Sequence, residues 1–335
     1  MIEPSDFDFE LPDALIARYP AHKRDASRLL AVAKDSGKLS DLQFCDLLSH
    51  LRAGDCLVLN DSKVLPARLY AKVGESRVEL LLIQQLSQTP NRWVAVGRPG
   101  KKLRPQNTVI FDDGSVARIE EKDAQKLTLE FEVPGDFSSW LDRLGNVPLP
   151  PYLHRKAEDK DRERYQTVYA KIPGSVAAPT AGLHFTPELL EALQEKGIRT
   201  AHVTLHVGYG TFAPLSPGAT SLHAERYGIP EATLQALAQT RAAGGRVVAV
   251  GTTSTRVLES YGLSGKTSGE TDIFIRPGHL FKWTDGLITN FHLPQSSLLV
   301  LVASFLGREK TLKAYDHAIR SGYRFYSYGD AMLLI

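Results

Sequence analysis

The sequence predicts an α/β protein in which a small antiparallel β-barrel is inserted into a discontinuous α/β main domain. Three observations carry this. Helix and strand patterns alternate over the first sixty residues and again after residue 147. Between them, from Leu65 to about Val133, six short β-type runs follow one another with no helical period. The stiff segment Val147-Pro148-Leu149-Pro150-Pro151 marks the return. The expected division is therefore 1–64 with 148–335 for the α/β domain and 65–147 for the barrel. A chain of 335 residues, 43% apolar and 23% charged, can build both cores.

In chain order, Leu29–Ala33 reads as a strand and Ser40–Leu51 as a helix, with Leu42, Leu47, Leu48 and Leu51 near one face. Asp55–Leu59 is a buried strand ending at Asn60-Asp61-Ser62-Lys63. The barrel runs are Leu69–Val73, Val78–Ile83, Trp93–Val96, Thr108–Phe111, Val116–Ile119 and Leu127–Phe131, several separated by turn signals such as Asp112-Asp113-Gly114. Beyond the connector, Pro187–Lys196 is a helix stopped by Gly197, and Ile198–Val207 a strand. Pro230–Ala243 is a helix and Arg246–Val250 a strand. Helices Ser296–Leu306 and Glu309–Ser321 precede the aromatic run Tyr323–Tyr328.

The net charge of +2 hides a segregation. Lys63–Arg104 holds nine Lys or Arg against Glu75 and Glu79, a net of +7, whereas Asp112–Asp142 nets −6. One basic and one acidic face of the barrel would follow, the basic one suited to a polyanion; ordinary solvated strand faces are the alternative. Cys45 and Cys56 make neither a disulfide framework nor a zinc cluster. The acidic start Met1–Asp6 carries no export signal, and Leu298–Leu306 falls short of the roughly 20 residues of a membrane span. A cytoplasmic protein is expected.

Several strand tips carry chemistry. Ala177-Ala178-Pro179-Thr180-Ala181-Gly182-Leu183-His184-Phe185 places His184 just before the helix signal Thr186-Pro187-Glu188. A helix N-terminus disfavours imidazolium, so His184 reads as a neutral proton acceptor or as a buried histidine bonded to backbone. His202 and His206 lie four apart, but on a strand, with Thr204 between them on one face, and no further ligand is close in sequence; no metal site is expected. The glycine pair of Gly208-Tyr209-Gly210-Thr211-Phe212 lets backbone approach a ligand. Val248–Arg256 runs from strand through Gly and hydroxyl residues into a helix, where Arg256 could hold a carboxylate bidentately or the hydroxyls could simply cap. Ile288–Pro294, with Asn290 and His292, repeats the design. Four polar tips on one sheet point to one pocket. Nucleotide-triphosphate, dinucleotide and serine-nucleophile motifs are absent.

Asn60–Arg68, Ala177–Phe185, Val203–Phe212, Gly251–Leu258, Asn290–Pro294 and Tyr328–Met332 resemble, from end to end, the signature blocks of the S-adenosylmethionine:tRNA ribosyltransferase-isomerase family of the queuosine pathway. The resemblance implies an α/β domain with an inserted barrel. It also implies transfer and isomerisation of the ribosyl part of S-adenosylmethionine onto 7-aminomethyl-7-deazaguanine at the wobble position of tRNA, giving epoxyqueuosine, adenine and methionine. In the family pattern two histidines three apart precede a Glu; here His223 and Glu225 are kept and Thr220 stands at the first position.

That chemistry removes a C5′ proton, assists adenine departure and closes an epoxide as methionine leaves. The candidate base is His184, then Asp61 and His292. Arg256 is the candidate for the methionine carboxylate, and Asn60 and Asn290 for ribose or adenine. Thr180, Gly182, His206, Gly210, Thr211 and Thr253 complete the substrate set. Lys101, Lys102, Arg104, Arg155 and Lys156 are the expected tRNA contacts. S-adenosylmethionine is consumed as a substrate, no resident cofactor is expected, and the chain is expected to be a monomer. The competing readings are an S-adenosylmethionine-dependent RNA methyltransferase and a non-catalytic RNA-binding barrel protein.

Overall fold

The computed structural model describes residues 4–208, 210 and 218–335. The strands are β1 (Arg28–Val32), β2 (Leu39–Gln43), β3 (Cys56–Asn60), β4 (Ser62–Val64), β5 (Arg68–Val73), β6 (Ser76–Ser87), β7 (Asn91–Arg98), β8 (Thr108–Ile110), β9 (Val116–Asp123) and β10 (Lys126–Glu132). They continue as β11 (Ile172–Ser175), β12 (Arg199–Leu205), β13 (Glu225–Gly228), β14 (Val247–Val250), β15 (Ser268–Thr271), β16 (Gly286–Asn290) and β17 (Ala331–Leu334). The helices are α1 (Leu47–His50), α2 (Phe137–Leu144), α3 (Asp161–Arg164), α4 (Pro187–Glu195), α5 (Glu231–Ala242), α6 (Gly251–Ser264), α7 (Ser297–Leu306) and α8 (Arg308–Arg320).

Nine strands form the main sheet in the order β15-β13-β12-β3-β14-β16-β17-β1-β2. Its centre, β12-β3-β14-β16, is parallel. Strand alternation sorts the side chains: Cys56, Val58, Val247, Ala249 and Leu287 face a core with α5, α6, α7 and α8. Leu57, Leu59, Val248, Val250 and Ile288 face the opposite core with α1 and α4. The chain leaves β3 towards β12 on one side and later β14 towards β16 on the other. Such a reversal opens a crevice beyond the carboxyl ends of β3 and β14.

Strands β5 to β10 close into a barrel in the order β10-β7-β6-β5-β8-β9, every pairing antiparallel. Asp136 caps α2 by accepting from the Ser139 N–H, and Trp140 of α2 packs edge-on against Phe111 and Phe131 of the barrel core. The parallel pair β4–β11 ties the segments entering and leaving the barrel beside the tip of β3.

The expected fold class is present, with one local correction. Leu39–Gln43, overlapping the start of the expected helix Ser40–Leu51, is a strand paired antiparallel with β1, and only Leu47–His50 of that span is α-helical. The leucines that suggested a helix are the inward positions of a strand followed by the apolar face of a short helix. Strands β13, β15 and β17 were not anticipated.

Candidate active site

The carboxyl ends of the parallel strands surround a cavity of about 530 Å³, a volume suited to a small molecule. Gly251, Thr252 and Thr253 enter it from the tip of β14, and Thr289, Asn290, Phe291 and His292 from β16. Thr180 and Ala181 belong to a short 3-10 turn, Thr180–His184, that crosses the mouth. Tyr152 and Tyr326 supply an aromatic wall, their ring centroids 4.7 Å apart. Among the described lining residues there is no Asp, Glu, Lys or Arg.

His292 is the imidazole on this cavity. Its Nε2 lies 2.7 Å from Thr289 Oγ1, and its backbone N–H donates to the Tyr315 hydroxyl at 3.0 Å. Burial pushes its pKa down to about 3, so the ring is neutral at pH 7. Beside it, Asn290 donates from Nδ2 to the Tyr326 carbonyl at 2.9 Å, which makes Oδ1 the acceptor.

That assignment settles His184, which stands behind Asn290 rather than on the cavity. Its Nε2 donates to Asn290 Oδ1 at 3.3 Å, leaving Nδ1 to accept from Ser27 Oγ at 2.7 Å. The ring stacks on Phe44, and burial, outweighing the bond to Asn290, lowers its pKa to about 4. Both nitrogens are thus engaged, Nδ1 by Ser27 and Nε2 in holding Asn290. The helix start read after it is present: Thr186 accepts from the Leu189 N–H, and Pro187 opens α4.

Of the other expected substrate residues, Thr180, Thr253 and Asn290 line the cavity. Asn60 does not. Its Oδ1 accepts from the Leu205 and Ser62 N–H groups and its Nδ2 donates to the Leu205 carbonyl, so the amide locks β3 to the end of β12. Asp61 accepts from Thr204 Oγ1 at 2.6 Å, in a separate cluster near Tyr169, His202 and His206. Burial lowers the pKa of both histidines. A Cβ on Gly182 would sit 2.0 Å from the Tyr169 hydroxyl, and one on Gly210 2.2 Å from the His223 ring, so both glycines permit packing. His206 packs on Gly174. Thr211 lies outside the described residues.

Arg256 has an internal partner. It is 5% exposed, on α6, and pairs with Glu225 of β13, which also accepts from the Gly208 N–H at 2.7 Å; a second nitrogen donates to the Thr271 carbonyl. The guanidinium therefore fastens β13 and the Gly208 turn to α6. Arg155 is likewise committed, donating bidentately to the buried carboxylate of Asp161 at 2.7 and 2.8 Å and stacking over Tyr19. Lys101, Lys102 and Arg104 stay exposed on the loop between β7 and β8, as does Lys156 beyond the connector. The barrel also pairs its charges: Arg92 of the basic stretch meets Glu120 of the acidic one, and Arg68 and Arg98 share Glu79 within the basic stretch.

Tyr152, Thr252, Gln295, Tyr326 and Ser327 also line the cavity without having been singled out. Gln295 and Tyr326 take positive φ, 56° and 73°, a region that non-glycine residues rarely adopt and that gathers at functional sites. Only the aromatic run hinted at Tyr326, and no residue type there announces a left-handed backbone.

The family model described as queuosine biosynthesis protein matches residues 4–334. The S-adenosylmethionine:tRNA ribosyltransferase-isomerase of Pelobacter propionicus is 50% identical over 339 residues, covering 98% of each chain. Its counterpart in Trichlorobacter lovleyi is 49% identical, covering 98% of this chain and 99% of that one. A crystal structure of S-adenosylmethionine tRNA ribosyltransferase from Thermotoga maritima matches with a TM-score of 0.59 at 37% identity, covering 99% of this chain and all of that one.

Proposed function

The chain belongs to the queuosine biosynthesis protein family, and from that premise we propose that it transfers and isomerises the ribosyl part of S-adenosylmethionine onto 7-aminomethyl-7-deazaguanine at the tRNA wobble position. The products are epoxyqueuosine in tRNA, adenine and methionine. The observation that carries this reading is the uncharged, imidazole-bearing cavity at the chain reversal of the sheet.

The cavity suits the substrate. Aromatic faces at Tyr152 and Tyr326 receive a sulfonium without a carboxylate that would add competing proton chemistry. The sulfonium acidifies C5′–H, and His292, neutral at pH 7, accepts that proton. Asn290, held by His184 and the Tyr326 carbonyl, offers fixed hydrogen bonding to the ribose or to departing adenine. The exocyclic amine of the modified base bonds to C1′ as adenine leaves with a released proton. C5′, freed of its proton, bonds to C1′ as the C1′–O4′ bond breaks, and O4′ closes the epoxide on C5′ as methionine departs. His184 acts through Asn290 as a positioning residue. The tRNA lies over the barrel, with Lys101, Lys102 and Arg104 on its phosphates.

The test is incubation of the purified protein with S-adenosylmethionine and tRNA bearing the aminomethyl base, followed by nucleoside mass spectrometry. Adenine release with the epoxycyclopentane adduct is expected. S-adenosylhomocysteine would indicate a methyltransferase, and no turnover a binding protein.

A further inference from the structure

We propose that the N-terminus of α6 is the carboxylate subsite of the cavity, binding the α-carboxylate of S-adenosylmethionine through the Thr252 and Thr253 hydroxyls and the first-turn N–H groups. The inference rests on the functional reading above and names the part of the site that it leaves open. An amino-acid carboxylate entering this cavity needs a counter-charge or donors. The lining holds no Lys or Arg among the described residues, and Arg256 is taken by Glu225.

Three observations meet at α6. It is a 14-residue helix that begins directly from β14 with Val250 as N-cap, and no side chain caps it. Its first N–H groups have no acceptor within the helix, and its dipole favours an anion there. Gly251, at φ 90°, turns the chain sharply from strand to helix, a backbone conformation that suits glycine.

The independent observation lies in the side chains. Thr253 Oγ1 is buried and has no hydrogen-bond partner among the described residues, and neither does Ser254 Oγ, which lies off the cavity wall on a wholly buried residue. Thr252 is 7% exposed, lines the cavity beside Thr253, and hydrogen-bonds to no described residue through its side chain. A buried hydroxyl without a partner is costly and rare. Thr252 and Thr253, side by side on the cavity wall at an uncapped helix start, are explained by a ligand oxygen that completes them. Of the groups of S-adenosylmethionine, the carboxylate is the anion, and it accepts several hydrogen bonds at once.

The experiment compares calorimetric titrations of S-adenosylmethionine and its decarboxylated analogue into the wild type, Thr252→Val, Thr253→Val and the double variant. Valine keeps the shape and the helix N–H groups while removing the hydroxyl. The wild type should prefer the carboxylated ligand by roughly tenfold or more. Each variant should lose several-fold of that preference, while affinity for the decarboxylated analogue stays within twofold. A preference undiminished in correctly folded variants overturns the subsite, as does an equal loss for both ligands. A wild type that binds both ligands equally tightly also overturns it while sparing the functional reading. Failure of the wild type to bind either ligand overturns the reading of the site and the subsite with it.

Discussion

The sheet edge and the barrel treat polar groups in opposite ways. In the barrel, strand pairing lets charges neutralise one another: Arg92 of the basic stretch meets Glu120 of the acidic one, and Arg68 meets Glu79 within the basic stretch. The loop Lys101 to Arg104 remains exposed and basic, as do Lys72 and Arg77 on the strands. At the sheet edge, charges are absent from the described cavity wall, histidines are held neutral, two residues adopt left-handed backbone and hydroxyls lack partners. A satisfied framework with a basic loop suits a polyanion. A neutral, incompletely satisfied cavity suits a small zwitterion with a sulfonium.

The largest effect that would sharpen this contrast is at His292. His292→Ala should lower turnover by about 10²–10⁴-fold with S-adenosylmethionine affinity within a few-fold, read by single-turnover kinetics beside titration. A variant keeping a tenth of the activity would move the proton transfer elsewhere. His184→Asn should cost less turnover, because it loosens Asn290 without removing the acceptor.

Next in size is Arg155. Removing it strands Asp161, which is fully buried, and should cost on the order of 3 kcal/mol in denaturant unfolding. The salt dependence of tRNA binding should stay the same. The opposite pattern would place Arg155 on the polyanion.

Protonation gives a third test. The folded-state pKa values of His184 and His292, about 4 and about 3, lie below the ordinary value of 6.5. The unfolded chain therefore binds protons that the folded one refuses. Their contribution is fully present above pH 6.5 and is lost as pH falls towards 4, at about 1.4 kcal/mol per pH unit for each histidine. Unfolding at pH 7, 6 and 5 should show this loss, and a variant lacking either ring should show a shallower one. A pH-independent stability would contradict the burial of both rings.

The smallest effect belongs to the loop. Lys101→Glu with Lys102→Glu should raise the tRNA dissociation constant several-fold and flatten its salt slope, leaving S-adenosylmethionine binding unchanged.

Sequence patterns located the site better than they assigned its atoms. The barrel runs and the four strand tips were legible because alternation and turn residues are local signals. Leu39–Gln43 was not, since Leu42 with Leu47, Leu48 and Leu51 also fits a helix face, and the pairing with β1 that decides it is non-local. The edge strand Ser268–Thr271 carries no apolar run at all. Asn60 and Arg256 read as substrate contacts and Arg155 as a tRNA contact, yet whether such a group is open depends on its partners. Those lie 145 residues away at Leu205, 31 away at Glu225 and 6 away at Asp161. His184 and His292 carry equivalent local signals, and only the fold places one behind Asn290 and the other on the cavity.

The central claim is that S-adenosylmethionine occupies the cavity between the tips of β14 and β16 while tRNA binds over the barrel. Thr180→Trp at the cavity mouth tests it most directly, with both ligands titrated into a variant whose melting temperature matches the parent. The account predicts that S-adenosylmethionine binding is lost and tRNA binding kept. Undiminished S-adenosylmethionine affinity in that variant would contradict it.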